Sequence, residues 1–371
     1  MAILFIEGFE HYGPTDGAMV GFDAFRKWGY GNGSAYHMVG GGRYGGKALA
    51  FYHADGYYGS LTKDIGFQYA TVAVGFGIKP YFGGGVIGTG PLANDRVLEL
   101  TDANGVLHLC LRVINLDLSE WRIENGLGTT LFTYTGPAPP NWSYIEIKVH
   151  IHDTAGTLDV KFNGTTIFSV TGEHTVGPGA NQGVQKVRIQ NGTDYGTIDS
   201  KPCRNCAFDD FYIAEDFVNN AASSTINMLR PSGDAPPVGA SWIPNSGFTR
   251  YNRLVDQPCD NDATYIYSEG SGTRTLCTYE DIPVGGANVV SGPIHCMALN
   301  AILRDTGGGA IISQVYGEDS NQFSMYQGSG INVPGGAYSG HQAIFPTHAL
   351  SGNPWTVARI NSTTAGVFHS G

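Results

Sequence analysis

Apolar and polar residues alternate with period two along much of the first half of the chain, and the clearest run lies between Trp142 and Gly172. Ile145, Ile147, Val149 and Ile151 interleave with Glu146, Lys148, His150 and His152, which gives a strand one apolar and one wet face. Asp153-Thr-Ala-Gly156 then reads as a turn in which Gly supplies positive φ. Leu158, Val160 and Phe162 resume the alternation up to Asn163-Gly164, a strong hairpin signal, and Ile167, Phe168 and Val170 make a third run. A three-strand meander of this kind belongs to an antiparallel sheet, and such sheets build all-β sandwiches or barrels.

The same texture extends outward. The chain opens directly into an apolar run, Met-Ala-Ile-Leu-Phe-Ile. The Gly-rich stretch Gly40–Lys47 has no Gly-Lys-Ser/Thr ending, so it reads as a loop before the strand Ala48–Tyr52. Thr71–Ile78 alternates Val72, Val74, Phe76 and Ile78 across Ala73 and Gly75. Val97–Leu100, the turn Asp102–Gly105 and Leu107–Val113 form a hairpin, and Ser119–Thr135 supplies another strand or two. Gly183–Ile189 and Cys206–Ile213 are further strands, the latter holding the pair Asp209-Asp210. Few large apolar residues occur over 214–224. This predicts a sandwich domain over 1–216, a linker over 217–224 and a smaller β-rich domain over 225–371. In that second part Ile226–Arg230, Asp260–Ser268 and Thr273–Tyr279 read as strands, and Pro231–Pro237 as a loop. Ile294–Arg304 and Ala310–Val315 read as a hairpin around Asp305–Gly309, and Pro354–Asn361 as a short strand or helical turn.

Composition sharpens this picture. Gly accounts for 54 of 371 residues while only 14% are charged, a balance that suits many tight turns between short strands. The formal charge of -11, with no basic run, argues against nucleic-acid binding. No window approaches a membrane-spanning length of apolar residues. The N-terminus lacks a basic region and meets Glu7 early, so no signal peptide is expected. Of six cysteines, Cys203 and Cys206 have zinc-knuckle spacing without a second pair to complete four ligands; a loop, closed by a disulfide or not, is the plain reading.

The carboxylates are the first candidates for chemistry. Jelly-roll glycosidases that retain configuration carry Glu-x-Asp-x-x-Glu on one strand, where period two aims the acids into one cleft. None of the eleven Glu here is followed by Asp two residues later. Asp209 and Asp210, being adjacent, are expected on opposite faces of their strand, wrong for a dyad. There is no Gly-x-Ser-x-Gly elbow. The metal candidates are His150 and His152, with Asp159 as a third ligand across the hairpin, and Asp209 or Asp210 for Ca²⁺. Asp260-Asn-Asp262 lacks the Gly and distal Glu of a calcium loop. Trp142, Trp242 and Trp355 are candidates for glycan stacking, or for cores and interfaces.

Four strings, Phe5–Glu10, Gly42–Leu49, the Trp142–Gly164 meander and Phe208–Ile213, together resemble bacteriophage virion proteins with an N-terminal concanavalin A-like (laminin G-like) domain. Asn227–Asp234, Trp242, Asp262–Ile266 and Pro354–Val357 resemble the region that follows in such proteins. The resemblance implies a concanavalin A-like jelly-roll sandwich followed by a smaller β-rich domain, in a tail or head fibre, collar or decoration protein. It transfers no catalytic residues and no cofactor. It implies a non-enzymatic part, made in the host cytoplasm and built into the virion. Its partners would be other virion proteins, its own copies (a trimer) and host-surface polysaccharide. The competing expectation is a polysaccharide-binding lectin or a depolymerase of the jelly-roll glycosidase type.

Overall fold

A computed structural model describes residues 2–9, 28–32, 36–43, 46–51, 59–80, 95–115, 118–137, 141–190, 206–217, 226, 229–235, 242–244, 266–268, 270–282, 293–306, 310–318, 325–327, 330–333, 335–336, 338–348 and 351–369. The chain divides into two compact units, Met1–Ile226 and Asn227–Gly371.

The first unit contains β1 (Ile3–Glu7), β2 (Gly29–Asn32), β3 (Tyr36–Gly40), β4 (Lys47–Phe51), β5 (Ser60–Tyr69), β6 (Thr71–Pro80), β7 (Asp95–Thr101), β8 (Leu107–Val113), β9 (Glu120–Asn125), β10 (Thr130–Thr135), β11 (Ser143–His150), β12 (Gly156–Phe162), β13 (Thr165–Glu173), β14 (Val184–Gln190) and β15 (Cys206–Ala214). They form two antiparallel sheets. One runs β13-β12-β11-β6-β15-β4-β3, with β1 also on β15; the other runs β10-β9-β8-β7-β14-β5-β2. The fold is all-β, a jelly-roll-like sandwich in this unit followed by a smaller β-rich unit.

Alternation explains how the two sheets close on each other. Val72, Val74, Phe76 and Ile78 of β6 face inward beside Ile145, Ile147 and Val149 of β11, and Leu158 and Val160 of β12 continue the layer. Leu98, Leu109, Leu111, Ile123, Val187 and Ile189 answer from the opposite sheet. Phe5, Trp28 and Phe211 lock one region of this core, with ring centroids 5.1 Å apart for Phe5–Trp28 and 4.9 Å for Trp28–Phe211. Each fully buried ring of this size contributes about 1.5–3 kcal/mol through apolar burial.

The meander is therefore β11-β12-β13, an edge of the larger sheet. Its second turn is as expected, with positive φ at Asn163 (48°) and Gly164 (79°). The first differs. Gly156 does not have positive φ; a Cβ there would run into the Thr175 hydroxyl and the Glu173 carbonyl, so close approach is what demands glycine.

The second unit departs further from expectation. Ile226, Leu229 and Arg230 are not in strands, and the strand begins instead at Pro231 (β16, Pro231–Asp234), within the stretch expected to be a loop. β16 is an edge strand, where a leading proline removes no ladder hydrogen bond. Then follow β17 (Ile243–Pro244), β18 (Ile266–Tyr267), β19 (Thr273–Tyr279), β20 (Met297–Leu303), β21 (Ile311–Glu318), β22 (Met325–Gln327), β23 (Ile331–Asn332), β24 (Ser339–Phe345), α1 (Val357–Asn361) and β25 (Thr363–His369). The expected hairpin between β20 and β21 does not form. β20 pairs with β24, while β21 pairs with β25, β22 and β23. Thr356 caps α1 by accepting from the Arg359 amide. Of the linker expected over 217–224, only Phe217 is described; Asp260–Tyr265 and Cys203 also lie outside the described residues.

Candidate functional site

The outer face of the larger sheet is made unusually flat by small residues. On β6, Ala73, Gly75, Gly77 and Lys79 point away from the core, because Val72, Val74, Phe76 and Ile78 point in. Ala48, Ala50 and Ala207 extend this floor on the neighbouring strands, and Trp142 packs against them. Large side chains can therefore lie along the sheet. A Cβ on Gly75 would overlap the Tyr212 ring, and one on Gly77 would lie 3.2 Å from Arg43 Cδ and 3.5 Å from Trp142 Cε3.

Trp142 is half-buried and its indole Nε1 donates to the Gly41 carbonyl at 3.2 Å, which fixes the ring plane. The Arg43 guanidinium lies 4.2 Å from the centre of the Tyr144 ring, a cation–π contact. Its Nη1 is 3.4 Å from Asp210 Oδ2. The Lys79 ammonium stands over Trp142, 6.0 Å from the ring centroid. Together Gly41, Gly42, Arg43, Lys79, Asn141 and Trp142 line an open groove of about 450 Å³.

Beneath and beside the groove lies a buried polar layer. Tyr212 donates to Glu146 Oε1 at 2.6 Å, and Glu146 Oε2 has no partner among the described residues. Burial pushes the Glu146 carboxyl above its ordinary range, outweighing the Tyr212 hydrogen bond and the Lys161 and Arg43 charges. Lys161 and Lys148 both approach the Phe217 ring, at 4.0 and 5.8 Å, and Lys148 pairs with Asp216 at 2.7 Å. The chain leaving β15 is thus pinned on this same sheet.

Asp209 and Asp210 are not on opposite faces. A bulge shifts the β15–β6 register between Asp209 and Tyr212, with Asp210 at φ 48°. Both carboxylates consequently meet Arg43: Asp209 Oδ2 accepts from its amide at 2.6 Å, and Asp210 pairs with its guanidinium. Asp209 Oδ1 also accepts from the Asp210 amide, and Asp210 Oδ1 from the Ile226 amide at 2.7 Å. As arranged, the pair holds Arg43 in the wall of the groove.

The other sequence candidates scatter. His150 Nδ1 is 3.0 Å from the Thr71 hydroxyl, and His152 Nδ1 accepts from the Thr154 and Ala155 amides at 3.1 and 2.9 Å, capping the first meander turn. Asp159 sits opposite Lys148, not either histidine, and accepts from Ser169 at 2.5 Å. No cluster of three His, Cys, Asp or Glu suited to a metal occurs among the described residues. Trp242 and Trp355 are 8% and 2% exposed, inside the cores of the second unit, so neither offers a face to a sugar. Trp142 alone of the three is at the surface of a groove. Sequence reasoning passed over Arg43, Lys79 and Tyr144; the outward Gly75-x-Gly77-x-Lys79 spacing on β6 was the signal for them.

No family model matches the chain, and no curated protein matches it in sequence. Solved structures do match at low identity. The alginate lyase Aly36B is 10% identical over 56% of this chain and 95% of its own, with a TM-score of 0.39. The alginate lyase vAL-1 from Chlorella virus is 13% identical over 50% and 91%, with a TM-score of 0.34. A Bacillus subtilis protein described as having a galectin-like fold is 11% identical over 50% and 88%, with a TM-score of 0.32. The expectation that the chain is not an enzyme does not stand beside these matches, which include alginate lyases. It rested on a missing Glu-x-Asp-x-x-Glu string, and that string reports on a single glycosidase arrangement. At such TM-scores the matches assign no activity to this chain either.

Proposed function

We propose that this chain is a polysaccharide-binding component of a bacteriophage particle, and that its first unit engages the glycan on the outer face of the larger sheet. The observation that carries the binding is the setting of Trp142. One side of the indole rests on a floor of alanine and glycine, its N–H is tied to Gly41, and the other side borders an open groove with polar walls. A rigid, half-wet aromatic plane with hydrogen-bonding groups at its rim binds amphipathic ligands such as sugar rings with little loss of conformational freedom. The virion setting is supported by the phage-like strings at Phe5–Glu10, Gly42–Leu49, the meander and Phe208–Ile213. Two of these strings contribute to the groove itself, since Gly42 and Arg43 come from one and Trp142 from another. The particle would present several copies, and weak single sites then add through avidity.

The test is binding of the whole chain to a panel of immobilised polysaccharides, comparing wild type with Trp142→Ala. Loss of at least about ten-fold in affinity is expected, the scale of one stacking aromatic at a binding centre. Unchanged binding in the variant would move the site elsewhere, and no binding to any glycan would end the reading. The same incubations, read for chain shortening, report whether binding is accompanied by cleavage. Peptide mass spectrometry of purified particles tests the virion setting; the chain is expected among the particle proteins.

A further inference from the structure

Two cations border the groove, and they differ in what holds them. The Arg43 guanidinium lies flat on Tyr144 and pairs with Asp210, and its side chain is only 8% exposed. Lys79 has no carboxylate within ion-pair distance among the described residues, and its nearest defined partner is the Trp142 ring at 6.0 Å. That distance is at the outer limit of a cation–π contact, weak enough for a bound sugar to replace. Lys79 ends the outward row of β6, so the strand fixes where its stem leaves the sheet.

We propose that Lys79 makes the groove selective for anionic saccharides, those whose rings carry a carboxylate or sulfate. The inference rests on the polysaccharide-binding reading above and adds the chemical class. A sugar ring stacked on Trp142 would place an edge substituent toward the ammonium that stands over the indole. Asn141 and the Gly41–Gly42 backbone supply neutral hydrogen-bonding groups along the same rim. A negative substituent would give Lys79 a counter-charge that none of the described residues supplies, in a chain whose net charge of -11 otherwise repels polyanions. Arg43 does not serve this purpose, because it is already paired with the buried Asp210 carboxylate and stacked on Tyr144.

The experiment compares the full chain, Lys79→Met and Trp142→Ala on polygalacturonate, its fully methyl-esterified form, dextran sulfate and dextran. Affinities are read at about 50 mM and about 500 mM NaCl, on either side of strong screening. Wild type is expected to prefer each anionic polymer over its neutral counterpart by about five-fold at low salt, the scale of one solvent-facing ion pair. The preference should collapse at high salt and in Lys79→Met, so that this variant binds each anionic polymer no better than its neutral counterpart. Which anionic arm is stronger distinguishes carboxylate from sulfate recognition. Equal binding of charged and neutral polymers by wild type, or a preference that survives in Lys79→Met, overturns the selectivity while leaving glycan binding in place. If wild type binds none of the four, the selectivity and the polysaccharide reading fall together; loss of binding in Trp142→Ala alone bears only on the latter.

Discussion

The sandwich has two outer faces, and they handle charge in opposite ways. On the smaller sheet, arginines and glutamates interlock. Arg112 Nε donates to Glu124 at 2.6 Å, Arg96 and Arg188 share Glu99 at 2.8 and 3.2 Å, and Arg122 meets Glu120 at 2.8 Å. Register explains the pattern: Glu99, Cys110 and Glu124 form one row across β7, β8 and β9, and Arg96, Arg112 and Arg122 the next. Each arginine side chain would repel its like-charged row neighbour were the glutamates not diagonal to it. Cys110, buried within this lattice, has its thiol pushed up to about 11 by desolvation. The larger sheet instead has glycines and alanines where that face has arginines. Aromatic rings lie down on it, and Lys79 at the end of β6 has no carboxylate within ion-pair distance among the described residues. A surface whose charges are already matched offers little to a ligand. A flat floor with an anchored indole does.

The sharpest way to break this contrast is to fill the floor. In Gly75→Val the new side chain would enter the space of the Tyr212 ring, and Tyr212 could move only by giving up its bond to the buried Glu146. Overpacking plus loss of the buried Tyr212–Glu146 hydrogen bond predicts destabilisation of about 3 kcal/mol, read from the urea midpoint of the first unit. Wild-type stability in this variant would mean that Tyr212 is not held against β6. Gly77→Ala is gentler, since its Cβ sits at 3.2 Å from Arg43 Cδ, and should perturb glycan binding more than stability.

On the opposite face the prediction separates stability from binding. Glu124→Gln leaves Arg112 beside Arg96 and Arg122 without its closest counter-charge. The pair is mostly buried but still touches solvent, at 15% and 12% exposure, so about 1–2 kcal/mol is expected rather than the full penalty of a dry ion pair. Glycan affinity should be unchanged. An altered affinity would show that the two faces are coupled.

The meander was legible because its alternation is unbroken and Asn163-Gly164 accepts positive φ. The site was less so. Strict alternation put Asp209 and Asp210 on opposite faces, and the bulge that brings both to Arg43 leaves no mark in residue type. Three tryptophans looked equivalent as sugar platforms, yet burial is decided by what packs over each. Trp355 donates to the Phe345 carbonyl inside a core, while Trp142 lies on the outer side of a sheet. In the second unit, strand existence could be read around residues 297–303 and 311–318, but partner choice could not. Short loops favour sequential pairing; the β20–β24 and β21–β25 ladders are long-range and depend on tertiary packing.

The smallest effect expected concerns Glu146, and it tests whether the larger face is as dry beneath its rings as its geometry implies. Glu146 is fully buried with one oxygen unpartnered among the described residues, and burial raises its folded-state pKa above the ordinary carboxylate range. Between those two values the folded chain holds a proton that the unfolded chain has released. Stability therefore falls as pH rises through that window, and the penalty of a buried carboxylate is fully present above it. Tyr212, Lys161 and Arg43 face the group and reduce the shift without cancelling it. Glu146→Gln keeps an acceptor for Tyr212 and removes the titration. The stability of wild type relative to this variant should decline as pH is raised from the ordinary carboxylate range through the raised pKa of Glu146 and then level off, as followed by urea midpoints. A difference that stays flat would mean that water reaches Glu146 and that the aromatic layer on this face is not closed.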